Sequence, residues 1–264
     1  MTQAASLRAE RGPLSIEIDP ERGGRLVSFV AYGHELLSMQ SIPGVEDSVA
    51  HGCYPMVPWA GRIRDGSLRR HGRQWQLPVA PDGHALHGLG RDVVWEQIGP
   101  WELRTELAEP WPVRGEARLA YALTEDRLHI RLRWDGGGPG ASLGLHPWFR
   151  RVVGGVVACL ELHPLDQVQR GDDGLPTGRI MAPQPGPWDD CFTLATPPRI
   201  IWPGVTGLTL YSDADWWVVF TEPEHALCVE PQTAPPDAFD HPRWESCLDA
   251  TEVRLTMVVE DLRV

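Results

Sequence analysis

"RLAYALTEDRLHIRLRW", residues 118–134, alternates apolar and polar side chains on either side of one polar turn. Leu119, Tyr121 and Leu123 fall on one face of an extended segment, and Leu128, Ile130, Leu132 and Trp134 fall on one face of the next. Successive side chains of a strand point to opposite faces, so a period of two marks a strand with one face in a core and one in water. "TEDR" (124–127) supplies the turn, and the stretch predicts a β-hairpin.

The same period recurs far from this hairpin. "LSIEI" (14–18) sets Leu14, Ile16 and Ile18 on one face, and "EVRLTMVVE" (252–260) does the same with Val253, Leu255, Met257 and Val259. "GLTLYSDADWWVVF" (207–220) reads as a second hairpin with its turn near Ser212–Asp215. No stretch carries a helical period with caps. The 27 glycines and 25 prolines follow no repeat and imply many turns between short strands. "DGGGPGAS" (135–142) leads back into a strand, which argues against a phosphate-cradling loop before a helix. The chain therefore predicts an all-β fold, a sandwich or a barrel, with residues 1–264 as a single domain.

A net charge of −12 argues against nucleic acid and anionic membranes, whose binding needs clustered Lys and Arg. No apolar run approaches the ~20 residues that span a bilayer. "MTQAASLRAERGPLS" (1–15) lacks the apolar core of a signal peptide. Cys53, Cys159, Cys191, Cys228 and Cys247 are scattered without a CxxC pair, as expected of reduced thiols in a cytoplasmic protein.

Polar chemistry gathers in turn-rich segments. "GCYPMVPWAGRIRDGSL" (52–68) holds Arg62 and Arg64, and "PDGHALHGLGRDVVWE" (81–96) holds His84 and His87. "SLGLHPWFR" (142–150) holds His146, and "LCVEPQTAPPDAFDHP" (227–242) holds Glu230. Proline follows both His146 and Glu230 and biases each toward extended backbone, so both sit at strand ends that run into rigid loops. Glu230 follows the apolar "ALCV"; desolvation there raises a carboxyl and suits a base. Each residue also has an ordinary structural reading: His146 as a hydrogen-bonded residue at a sheet rim, His87 as part of a turn before Gly88, Arg62 as a solvated side chain. Glu230 can equally be a paired structural carboxylate, and Asp189 and Asp190 in "GPWDDCF" (186–192) can be turn formers. His84 and His87 form an HxxH pair, but no third ligand stands at a recognisable spacing. Trp59, Trp95, Trp148 and Trp188 lie in or near these segments; flat aromatic faces beside carboxylates and guanidinium groups suit a sugar ring, although most tryptophans are core.

"PWAGRIRDG" (58–66), "ALHGLGRDVVWE" (85–96), "GLHPWFR" (144–150), "WDDCF" (188–192) and "VEPQTAPPDAF" (229–239) together resemble the aldose 1-epimerase (galactose mutarotase) family, in that family's order. The short intervals between them resemble its compact bacterial branch, and Gly61 stands where the family has asparagine before the arginine. The resemblance implies a large antiparallel β-sandwich, the galactose mutarotase-like supersandwich. It implies Glu230 as general base, His146 as general acid and His87 as the second active-site histidine. Arg62 and Asp189 would hold sugar hydroxyls, with Gln232 and Trp148 as further binding residues. It implies a small sugar as substrate, a monomer or homodimer, and no metal or organic cofactor. Three other readings stay open. An epimerase of hexose 6-phosphates would draw its phosphate donors from Arg62, Arg64, Arg69, Arg70 and Arg91. A sugar-sensing domain would keep the pocket without catalysis. A glycosidase would pair Asp189 with Glu230 and leave the histidines idle.

Overall fold

A computed structural model describes residues 6–41 and 49–264. The residues before Ser6 include part of the stretch read for a signal peptide, and that part lies outside the described residues. The predicted hairpin is present: Gly115–Leu123 pairs with Arg127–Gly136, with Leu119 opposite Leu132 and Tyr121 opposite Ile130. Its turn is closed by Thr124, whose N–H donates to the Arg127 carbonyl at 2.9 Å and whose hydroxyl donates to Asp126 at 2.8 Å. Strand Glu252–Asp261 adds beside it with Ile130 opposite Leu255, so the apolar stripes line up across three strands.

This hairpin belongs to an eight-stranded sheet that runs, in spatial order, Glu96–Gly99, Glu102–Leu107, Gly115–Leu123, Arg127–Gly136, Glu252–Asp261, Thr206–Ser212, Arg199–Trp202 and Cys159–Glu161. An eleven-stranded sheet runs Leu7–Arg11, Leu14–Asp19, Arg25–Ala31, Cys53–Met56, Gly144–Arg150, Ala226–Gln232, Trp216–Phe220, Asp189–Leu194, Pro164–Arg170 and Pro176–Met181, with His34–Glu35 paired onto Arg25–Ala31. The ladders of both sheets are antiparallel, and the helical segments among the described residues are short 3₁₀ turns, the longest being Pro242–Leu248. The fold is the antiparallel β-sandwich expected.

The second expected hairpin is not one. Thr206–Ser212 lies in the eight-stranded sheet and Trp216–Phe220 in the eleven-stranded sheet, so the chain changes sheets at Asp213–Asp215. The corner is tied to the last strand: Ser212 Oγ donates to the Arg254 carbonyl at 2.6 Å, and Arg254 N–H donates to Asp213 at 2.8 Å. Alternation reports burial of a face and carries no information about which strand is the neighbour.

One hydrophobic cluster joins the two sheets, with Leu119, Ile130, Leu132, Leu255 and Met257 from one and Ile16, Leu26, Leu145, Phe149 and Val229 from the other. Trp59 and Trp95, read above as candidate sugar platforms, are 1% exposed and belong to this core. Trp188 packs edge-on to Phe192 at 5.9 Å and does not line the cavity described below. The opposite face of the large sheet carries a smaller cluster of Tyr54, Met56, Trp148 and Cys228. Strands Gly144–Arg150 and Ala226–Gln232 are therefore covered on both faces, and that is why their sequences read as continuous apolar runs rather than as alternation.

Candidate active site

Register brings the separated motifs together. His146 pairs with Tyr54, while Gly144↔Gln232 and Trp148↔Cys228 set His146 opposite Glu230. Glu230 pairs with Val218, and Val218 with Cys191. Directly opposed residues share a face, so Tyr54, His146, Glu230, Val218 and Cys191 form a row across five neighbouring strands. A parallel row runs Trp148, Cys228, Phe220, Asp189. Both rows lie on the face turned away from the inter-sheet core. Over them lies a cavity of about 520 Å³, within the usual size of small-ligand sites. Its lining includes all seven residues to which the family resemblance gives a role: His146, Glu230, His87, Arg62, Asp189, Gln232 and Trp148.

His146 Nε2 lies 3.2 Å from Glu230 Oε1, and the two side chains are 5% and 2% exposed. Gln232 Nε2 donates to the other carboxyl oxygen, Oε2, at 3.2 Å. Burial pushes the Glu230 carboxyl well above its ordinary range, and the nearby Asp189 charge adds to the effect. Burial, assisted by the charge of Arg25, lowers His146 to about 3. The same desolvation acts on both groups in opposite senses, because it always disfavours the charged form. Burial thus works against charge on both members of the contact.

The imidazole is held in a stack. Tyr54 lies against it at 4.7 Å and 27°, and Trp148 at 5.3 Å and 9°. His225 is parallel to Trp148 at 6.3 Å, and the Arg25 guanidinium sits 4.7 Å from the Tyr54 ring centre. Trp148 therefore spends its ring faces on imidazoles and acts as a wall that orients His146.

His87 stands edge-on to His146 with ring centres 5.0 Å apart, and burial holds it well below the ordinary histidine value. Its backbone is left-handed, φ 55°, a conformation that costs a non-glycine residue and needs fixing by its surroundings. His87 N–H donates to the Gly61 carbonyl at 2.9 Å. Gly88 follows at φ 74°, where a Cβ would stand 2.3 Å from the Val57 carbonyl oxygen. The turn and the functional reading of His87 are one structure: only glycine fits the approach that aims the histidine. Arg62 pairs in backbone register with Leu86, which joins the first two motifs. Asp237, in the loop after Glu230, clamps them to the segment that carries Glu230: its N–H donates to the Arg62 carbonyl at 2.7 Å, and its Oδ1 accepts from Arg64 N–H at 2.9 Å. Its carboxyl is raised by burial to about 6.

Asp189 and Asp190 both line the cavity, and Arg170 bridges them, at 3.4 Å and 2.9 Å respectively. Sequence reasoning missed Arg170, Tyr54, His225 and Asp237. Arg170 ends an unremarkable strand, and the others act through neighbours that only the register supplies. His84 is not part of a metal pair with His87; its Nδ1 accepts from Asp65 N–H at 3.1 Å. Among the described residues one group has metal-ligand spacing: His146, Cys228 and Glu230, whose ligand atoms lie within 4.8 Å of one another.

The arginines considered as phosphate donors have carboxylate partners. Arg62 pairs with Asp82 at 2.8 Å, Arg64 with Asp173 and Asp237, and Arg69 with Asp240. Arg70 pairs with Glu245 and Asp249, and Arg91 with Asp92.

In overall structure the chain is similar to a candidate aldose 1-epimerase from Escherichia coli K12, at 20% identity and a TM-score of 0.82 over 98% of this chain and 99% of the other. A galactose mutarotase-like protein from Clostridium acetobutylicum gives 16% identity and 0.80 over 96% and 94%. Galactose 1-epimerase from Lactobacillus acidophilus gives 14% and 0.77 over 96% and 93%. No curated protein sequence matches the chain. The family model for aldose 1-epimerase matches residues 10–254, so the protein belongs to the aldose 1-epimerase family.

Proposed function

We propose that the protein is a mutarotase that interconverts the α and β anomers of an unphosphorylated aldose by acid–base ring opening. The observation that carries this reading is the buried contact between His146 and Glu230 on the floor of a sugar-sized cavity. With the sugar in place, Glu230 as carboxylate takes the proton of the C1 hydroxyl and His146 as imidazolium gives one to the ring oxygen. The C1–O5 bond breaks and a C1 carbonyl forms. Rotation about C1–C2 and closure on the other carbonyl face return both protons. Ring opening converts the ionised pair to carboxyl plus neutral imidazole, the state that burial favours here. His87 assists at the ring oxygen. Arg62, which has N–H groups beyond the one given to Asp82, and Asp189 and Gln232 hold hydroxyls.

The sugar is unphosphorylated on this reading because the charges of the two arginines lining the cavity, Arg62 and Arg170, are offset by carboxylates, and Asp189, Asp190, Glu222 and Glu230 line it as well. A phosphate dianion needs charge-assisted donors and here meets acidic groups instead. Freshly dissolved aldoses followed by polarimetry test the proposal: at least one of glucose, galactose or their epimers equilibrates faster with the protein, and glucose 6-phosphate is the poorer substrate. A panel in which no aldose is accelerated, or one in which the phosphate ester is preferred, overturns it.

A further inference from the structure

We propose that His146, Cys228 and Glu230 form a binding site for a thiophilic divalent cation such as Zn²⁺, and that occupancy silences the catalytic pair reversibly. Cys228 precedes Glu230 by two residues on the same strand and shares its face, and the three ligand atoms lie within 4.8 Å of one another. Ligand atoms around a tetrahedral Zn²⁺ stand roughly 3–4 Å apart, so small side-chain movements close the site. Nitrogen, sulfur and one carboxylate oxygen make a borderline-soft set that favours Zn²⁺ or Cd²⁺ over Mg²⁺.

The charge balance also fits. Zn²⁺ displaces one proton from Glu230 and one from Cys228, both released to solvent, and binds the neutral His146. The product is uncharged, which suits a place where each isolated charge is costly. Gln232 holds Glu230 Oε2, leaving Oε1 turned to His146. A fourth position faces the cavity that His146 and Glu230 line, as in open zinc sites. The second nitrogen of His146, Nδ1, is buried and has no hydrogen-bond partner on another residue. Resident metal centres anchor that nitrogen, so the geometry points to exchangeable occupancy. Bound metal occupies the acid and the base together, and mutarotation stops.

The silencing rests on the proposed function; the binding does not. Titrating the metal-free whole protein with Cd²⁺ is expected to give the ultraviolet charge-transfer band of a cadmium thiolate. The band is absent in Cys228→Ala and Cys228→Ser, although Cys159 and Cys247, the cysteines that are not buried, remain. In polarimetry Zn²⁺ suppresses mutarotation, a chelator restores it and Mg²⁺ has no effect. The Cys228 variants keep the basal rate and need more than about tenfold more Zn²⁺ for the same suppression. A cadmium band unchanged by loss of Cys228, no band at all, or equal Zn²⁺ sensitivity in variant and wild type overturns the proposal. If no sugar is turned over, the cadmium band alone decides it.

Discussion

His146 and Glu230 are ordinary residue types whose behaviour is set by where they sit. With ordinary values of 6.5 and 4.5, the one-proton state of the pair would exist only between those pH values. Burial shifts both groups: it lowers His146 to about 3 and pushes Glu230 well above its ordinary range. The expected kcat/KM profile departs from the bell bounded by 4.5 and 6.5 that two unshifted groups would give, measured where circular dichroism shows the protein folded. A bell confined to that interval means that the pair titrates as exposed groups do. Asp237 gives a stability prediction of the opposite kind. Its folded value of about 6 exceeds the ordinary 3.8, so its contribution is complete below 3.8 and is lost as pH rises through 6. Asp237→Asn keeps the oxygen that caps Arg64 N–H and removes this loss. Relative to wild type it gains on the order of 1–3 kcal/mol between acidic and neutral pH, read from denaturant midpoints. A gap that does not change with pH shows that the carboxyl titrates normally.

At the scale of strands and loops, the site depends on segments that fix one another. Asp237→Ala removes the carboxylate that accepts from Arg64 N–H and leaves only the backbone bond to the Arg62 carbonyl, which loosens the Arg62–Arg64 loop. The expected outcome is a stability loss of about 1–3 kcal/mol together with a raised KM and a smaller change in kcat, since Arg62 in its proposed role holds substrate and moves no proton. An unchanged KM shows that the clamp does not position Arg62. The elements were legible to unequal degrees. Residues 118–134 face a core on one side and water on the other, so their alternation names strand and face, and the turn at Thr124–Arg127 names the hairpin. Residues 144–150 and 226–232 are covered on both faces and lose the period; their meaning came from the resemblance of their motifs. Residues 207–220 alternate well, yet their two strands belong to different sheets, because pairing is decided by distant segments. Tyr54, Arg170 and Asp237 escaped notice for the same reason.

For the whole molecule, the sandwich separates stability from chemistry by using opposite faces of one sheet. Leu255→Ala, in the inter-sheet core and fully buried, is expected to cost about 2–5 kcal/mol. Its kcat per folded molecule should match wild type, since the cavity lies on the far face. A large fall in kcat without unfolding indicates that the two faces are coupled. No helix among the described residues is long and apolar enough to cross a membrane. The acidic balance of the chain, −12 overall, extends into the cavity and supports the proposed preference for an uncharged sugar. All of this converges on the buried contact between His146 and Glu230. The most direct test is the polarimetric mutarotation rate of Glu230→Gln beside wild type, with both shown to be folded. Removing a positioned proton-transfer group predicts a rate lower by roughly 10²–10⁴-fold at unchanged stability or better; a variant that turns sugar over at close to the wild-type rate contradicts the account.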